Sequence, residues 1–116
     1  MRLRIQGRGF CLTDGLRAHV ERRLAFALGP HRGQVRSVTV LLDDVNGPRG
    51  GVDKRCRIFV QLDASRDVRL EQLDPSLYAA IDRAADRARR AVARRLGRRR
   101  RVSLAPWTPE RQPLPS

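Results

Sequence analysis

"DPSLYAAIDRAADRARRAVARRLGRRRR", residues 74–101, decides the fold class and carries most of the charge. Asp74 offers a side-chain oxygen to a helix N-terminus, and Pro75 suits the first helical position, where a missing N–H is no loss. The spacing therefore predicts a helix from about residue 75. At about 100° per residue, Leu77, Ile81, Ala84, Ala88 and Val92 fall within roughly 40° of one direction. Arg83, Arg87, Arg90, Arg94, Arg98 and Arg101 gather about 120° away. Core and charge thus occupy opposed stripes of one rod. Arg95 and Arg99 fall on the apolar side, which predicts that the helix outruns the sheet there, and Gly97 with the arginines after it favours a frayed last turn.

Working upstream, "DVRLEQL" (67–73) places Val68 and Leu70 on one side of an extended segment. In "KRCRIFVQL" (54–62), Cys56, Ile58, Val60 and Leu62 alternate with Arg55, Arg57, Phe59 and Gln61, the period of a half-buried strand. "NGPRGG" (46–51) is dense in turn formers and predicts a reversal from "QVRSVTVLLDDV" (34–45), whose Val38, Val40 and Leu42 share a face. Asp43 and Asp44, adjacent in that strand, point to opposite sides and keep a hairpin soluble. At the N-terminus, Leu3 and Ile5 alternate with Arg2, Arg4 and Gln6. Thr13 then offers a helix cap, Leu16, Val20, Leu24 and Ala27 recur at helical spacing, and Gly29-Pro30 ends that helix. The fold class expected is α+β: β-α-β-β-β-α, a four-stranded sheet with two helices packed on one face. Residues 1–101 form one domain. "VSLAPWTPERQPLPS" (102–116), with four prolines, reads as an extended or disordered tail that includes Trp107.

The net charge of +13 comes from 24 arginines and one lysine against 12 acids, far beyond what solubility requires, so a polyanion is the first partner to consider. With three Phe, one Tyr and one Trp, a surface built from many stacking platforms is poorly supported, and charge recognition of a backbone fits better. Cys11 and Cys56 stand apart from any metal-ligand spacing and read as two small buried hydrophobes in a reducing compartment. His19 and His31 lack a nucleophile or metal-ligand spacing nearby, so no catalytic residue, no metal site and no cofactor is expected. Tyr78 reads as a packing residue at the start of the long helix. The N-terminus lacks the apolar core of a signal peptide and no long apolar run follows, so the expectation is a cytoplasmic protein with no membrane partner.

Two stretches resemble a known family. "MRLRIQGRGFCLTDGLRAHV" (1–20) is similar to the opening of the ribosome hibernation promoting factors, through Met1, Leu3, Ile5, Gly7, Thr13, Leu16, Arg17 and Val20. "LYAAIDRAADRARRAV" (77–92) resembles that family's second-helix signature, through Tyr78 to Asp82 and Asp86. The resemblance covers roughly residues 1–100 and matches the element order derived above. It implies a short-form member, monomeric off the ribosome, that binds the small ribosomal subunit and its ribosomal RNA in the tRNA and mRNA decoding channel and reversibly inhibits translation in stress or stationary phase. By motif position, the family's RNA-binding basic residues fall on Arg87, Arg90, Arg94 and Arg98, with Arg17 and Arg23 on the first helix. Long members carry a further C-terminal domain for which this chain has no room, and its proline-rich tail resembles the type that keeps ribosomes single.

The arginine spacing has its own chemistry. A guanidinium is a planar fork of donors that matches phosphate oxygens and keeps its charge at neutral pH, so arginines on one helical stripe can follow a phosphate track. Such contacts position a protein rather than read bases. A solvated charged face, a surface for an acidic protein such as a transcription component, and an RNA-acting enzyme stand as alternatives.

Overall fold

The computed structural model describes residues 2–45, 54–63 and 66–104, with side chains described as far as Gly97. Strand β1 (Arg2–Arg8) leads into helix α1 (Asp14–Leu28), a 3₁₀ turn over Gly29–His31, then β2 (Val35–Asp44), β3 (Lys54–Leu62), β4 (Val68–Asp74) and the long helix α2 (Leu77–Leu104). The sheet order is β1-β2-β3-β4. β1 runs parallel to β2, because α1 crosses back between them, and the remaining pairs are antiparallel.

Alternation along the strands decides where the core lies. Val38, Val40, Leu42, Cys56, Ile58, Val60 and Val68 are buried on the face that carries both helices. Leu16, Val20, Leu24, Ala27 and Leu28 of α1 join them. From α2 come Ala80, Ile81, Ala84, Ala85, Ala88, Val92 and Leu96. Four of the seven are alanines, and the small side chains let the backbone of α2 lie close to the sheet. Burial of each large aliphatic side chain contributes about 1.5–3 kcal/mol, so these two helical stripes hold the layers together.

The helix starts differ in an instructive way. Thr13 caps α1 as its sequence position implies, its hydroxyl oxygen accepting from Leu16 N at 3.1 Å. α2, by contrast, begins two residues after the expected position. Asp74 is still paired with Lys54 in the β3–β4 ladder, and a residue before proline is held extended, so neither its backbone nor its timing suits a cap. Ser76 takes that place: its carbonyl accepts from Ala80 N at 2.9 Å and its hydroxyl from Ala79 N at 3.4 Å. The Asp74 carboxylate instead accepts from Ser76 N at 3.4 Å.

The far end of α2 also departs from the expectation that it outruns the sheet. The helix does not overhang at Arg95: its Nη1 donates to the carbonyls of Arg66 and Asp67 at 2.7 and 2.5 Å, fastening the helix to the chain entering β4. Leu96 beyond it is still buried. The helical backbone continues through Gly97 to Leu104. Of the tail expected over residues 102–116, residues 102–104 are the last of α2 and not extended, while the remainder, including Trp107, and the reversal expected at 46–51 lie outside the described residues.

Candidate nucleic-acid interface

Three arginines fix how α2 lies along β4, helix and strand running in opposite chain directions. Arg83 Nε is 3.4 Å from Asp74 Oδ2 at the end of the strand. Arg87 Nη1 donates to the Glu71 carbonyl and to Gln72 Oε1 at 2.8 and 2.9 Å, and Arg95 closes the series at the strand's beginning. Twelve residues of helix cover about 18 Å at 1.5 Å each, close to the length of the strand beside it. The arginine stripe of α2 is therefore one wall of a groove whose other wall is the outer strand of the sheet.

That groove has a volume of about 350 Å³. Arg87, Arg90, Arg94 and Arg95 from α2 and Arg69 from β4 supply its charge, over Val68, Leu70 and Ala91. No carboxylate is among these lining residues. Arg90 Nη1 is 2.9 Å from Asp86 Oδ2, and Arg89 Nη2 binds Asp86 Oδ1 at 2.8 Å. The Arg89 and Arg90 guanidinium groups hold the Asp86 carboxyl below the usual carboxylate range, with Arg89 the larger cause. Arg94 makes no hydrogen bond or ion pair among the described residues. It is exposed, and its donors face solvent ready for an anion.

The expected site residues thus divide. Arg83, Arg87, Arg90 and Arg94 lie together along the exposed side of α2 toward β4. Arg98 and Arg101 continue the same helix, with side chains outside the described set. Arg23 sits elsewhere, with Nε 3.1 Å from Asp82 Oδ1 at the contact between α1 and α2, alongside His19 Nε2 at 2.7 Å from the same oxygen. Arg17 is two residues, about 200°, from His19 round α1, so it lies on the flank of α1 turned away from α2 and is exposed there.

Arg69 and Arg95 belong to the groove although the sequence reading did not single them out as a site. The alternation of β4 already placed Arg69 outward between Val68 and Leu70, whereas nothing local shows that Arg95 meets two strand carbonyls. Tyr78 is 46% exposed, and its ring edge meets His19 at 4.9 Å between centroids. A Cβ on Gly15 would stand 3.2 Å from the Tyr78 hydroxyl, so glycine there leaves room for the ring against the start of α1. Cys56 is buried, and burial together with the Asp43 charge pushes its thiol up to about 12, which keeps it neutral. Cys11 is exposed. Among the described residues, no group of three or more His, Cys, Asp or Glu is placed to hold a metal ion, and no helix is long and apolar enough to cross a membrane.

The model of one protein family, described as "Sigma 54 modulation protein / S30EA ribosomal protein", matches residues 3–100. A curated relative, the chloroplastic ribosome-binding factor PSRP1 of Spinacia oleracea, is 31% identical over 84 residues, covering 71% of this chain. The aligned part is 28% of the length of that relative. Among solved structures, the N-terminal domain of Thermus thermophilus Protein Y is 35% identical, with a TM-score of 0.67 over 81% of this chain and 98% of that one. A ribosomal subunit interface protein of Coxiella burnetii shares the fold at a TM-score of 0.70 and 15% identity, over 81% of this chain and 96% of its own.

Proposed function

The chain belongs to the sigma 54 modulation protein and S30EA ribosomal protein family, and from that premise we propose that it is a ribosome hibernation factor. In this reading it binds the small ribosomal subunit in the tRNA and mRNA decoding channel, through ribosomal RNA, and reversibly inhibits translation in the cytoplasm under stress or in stationary phase. It acts by occupancy and needs no cofactor. The observation that carries the reading is the line of Arg87, Arg90 and Arg94 beside β4, in a groove with five arginines and no acid among its lining residues, which Arg83 extends along the same side of the helix. Guanidinium forks spaced along a rigid helix are suited to successive phosphates, whose charge they neutralise without reading sequence. The relative named as a ribosome-binding factor supports the same partner.

The test is sedimentation of the purified full chain with small ribosomal subunits through a sucrose gradient at low salt. Co-migration that is progressively lost as salt rises is expected. A protein that stays at the top of the gradient at low salt overturns the reading.

A second reading, an acidic protein partner such as a transcription component, has the family description in its favour, since that description also names sigma 54 modulation. It predicts retention by the acidic protein that ribosomal RNA does not displace.

A further inference from the structure

The sheet face turned away from the helices carries its side chains in rows that cross the strands. One row is Arg4, Thr39, Phe59 and Arg69, each directly paired with the next across β1, β2, β3 and β4. Beside it lie Arg2, Ser37 and Gln61. On the other side come Gln6, Leu41, Arg57 and Glu71, followed by Arg8, Asp43, Arg55 and Leu73.

Charge is distributed unevenly over these rows. Asp43 is buried and takes Arg55 at 2.7 and 3.2 Å and Arg57 at 3.4 Å, with Glu71 3.9 Å from Arg55. The cations at that end are thus largely matched by acids. At the Phe59 end, Arg2, Arg4 and Arg69 have no carboxylate partner among the described residues, although Asp67 is among the residues lining the surface there.

Phe59 is the only aromatic side chain of that face among the described residues. It is half-buried in a depression of about 370 Å³ lined by Ser37, Thr39, Gln61 and Arg69. The Arg69 guanidinium lies 5.8 Å from the ring centroid, at the outer limit of a cation–π contact, and its exposed side chain can swing to admit a flat group. Ser37 Oγ donates to Gln61 Oε1 at 2.6 Å, which turns the Gln61 amide N–H groups into donors for something else. Arg69 lines both this depression and the groove beside α2, so the two surfaces are continuous around the edge of β4.

We propose that this face is a second contact site, in which a single-stranded RNA segment leaving the α2 groove stacks one base on Phe59 while Arg69 and Arg4 hold flanking phosphates. The sheet spacing places β1 and β4 about 14 Å apart, a span of two to three nucleotides of an extended strand. An aromatic ring set between unpaired guanidinium groups and an amide donor matches a base with its phosphates better than it matches the acidic side chains of a peptide, which supply charge without an aromatic face to stack. The proposal deepens the ribosome reading and rests on it for taking the strand to be RNA.

The experiment measures anisotropy of labelled octauridylate RNA, and of an abasic backbone of the same length, with the full chain at low salt. The base-bearing strand is expected to bind about tenfold more tightly, within the range of one aromatic–base stack. Phe59→Leu, with an unchanged thermal melt, should level the two affinities, and Phe59→Tyr should keep the difference. Equal binding of both strands by the natural protein, a preserved preference in Phe59→Leu, or displacement by poly-glutamate as readily as by RNA overturns the proposal. Sedimentation separates the two readings. A chain that discriminates the strands without joining ribosomes sinks the ribosome reading alone, and one that joins ribosomes without discriminating sinks the stacking site alone.

Discussion

His19 Nε2 lies 2.7 Å from Asp82 Oδ1, across 63 residues of sequence, and with Arg23 at 3.1 Å from the same oxygen it joins α1 to α2. The carboxylate is 46% exposed, so solvent weakens the pair. Asp82→Ala should lower stability by about 1 kcal/mol, or roughly 4–8 °C in Tm for a domain of this size. It should leave the groove beside β4 intact. Thermal denaturation by circular dichroism measures the first, and salt-dependent ribosome binding the second.

Adjacent arginines on α2 should behave oppositely. Arg94 is exposed and unpaired among the described residues, whereas Arg95 donates to two carbonyls at the entrance to β4. Arg94→Ala is expected to weaken RNA binding with stability unchanged. Arg95→Ala should cost up to about 1 kcal/mol of stability, because water can replace the guanidinium at these exposed carbonyls while the tie between α2 and β4 is lost. Chemical denaturation and RNA titration of both variants form the comparison.

Arg90→Glu combined with Arg94→Glu should weaken ribosome binding by about a hundredfold or more, because attraction to phosphate becomes repulsion along the stripe. The melting curve should show that the domain stays folded. For the natural chain, neutralising about six phosphates gives log affinity against log salt a slope of about −4 to −5. In the milder pair Arg90→Gln and Arg94→Gln, the slope should become shallower by roughly 2.

Asp43 predicts an acid limb in stability. Its carboxyl is held below the ordinary value of 3.8, chiefly by the Arg55 hydrogen bonds and against the opposing effect of burial. A depressed native value means that the contribution is complete above 3.8 and is lost as pH falls from there through the native value. Asp43→Asn removes the anion that Arg55 and Arg57 share, leaving Arg55 only the more distant Glu71, and should cost about 1–3 kcal/mol at neutral pH, since both arginines stay partly in solvent. Between pH 5 and about 2, the variant should then lose less stability than the natural chain. Urea unfolding across that range supplies both curves.

The two thiols should differ sharply in reactivity. Cys11 is exposed, and Cys56 is buried with its thiol held at about 12. A disulfide reagent at neutral pH should label one thiol in the native chain and both after denaturation.

The sequence by itself determined the element order and the two faces of α2, since Leu77 to Val92 and the arginines between them repeat with the period of a helix, a local property. It also marked Thr13 as a cap and set inward against outward residues in every strand, so Phe59 and Arg69 were already on the outer side. Tertiary structure alone decided which side chains meet. The β3–β4 ladder holds Asp74 and passes the helix start to Ser76, Asp82 of α2 draws Arg23 to the contact between the two helices, and the start of β4 gives Arg95 two carbonyls. Each of those outcomes depends on strand register and helix placement between segments far apart in the chain, and a periodicity read along one segment contains no information about its neighbour across space.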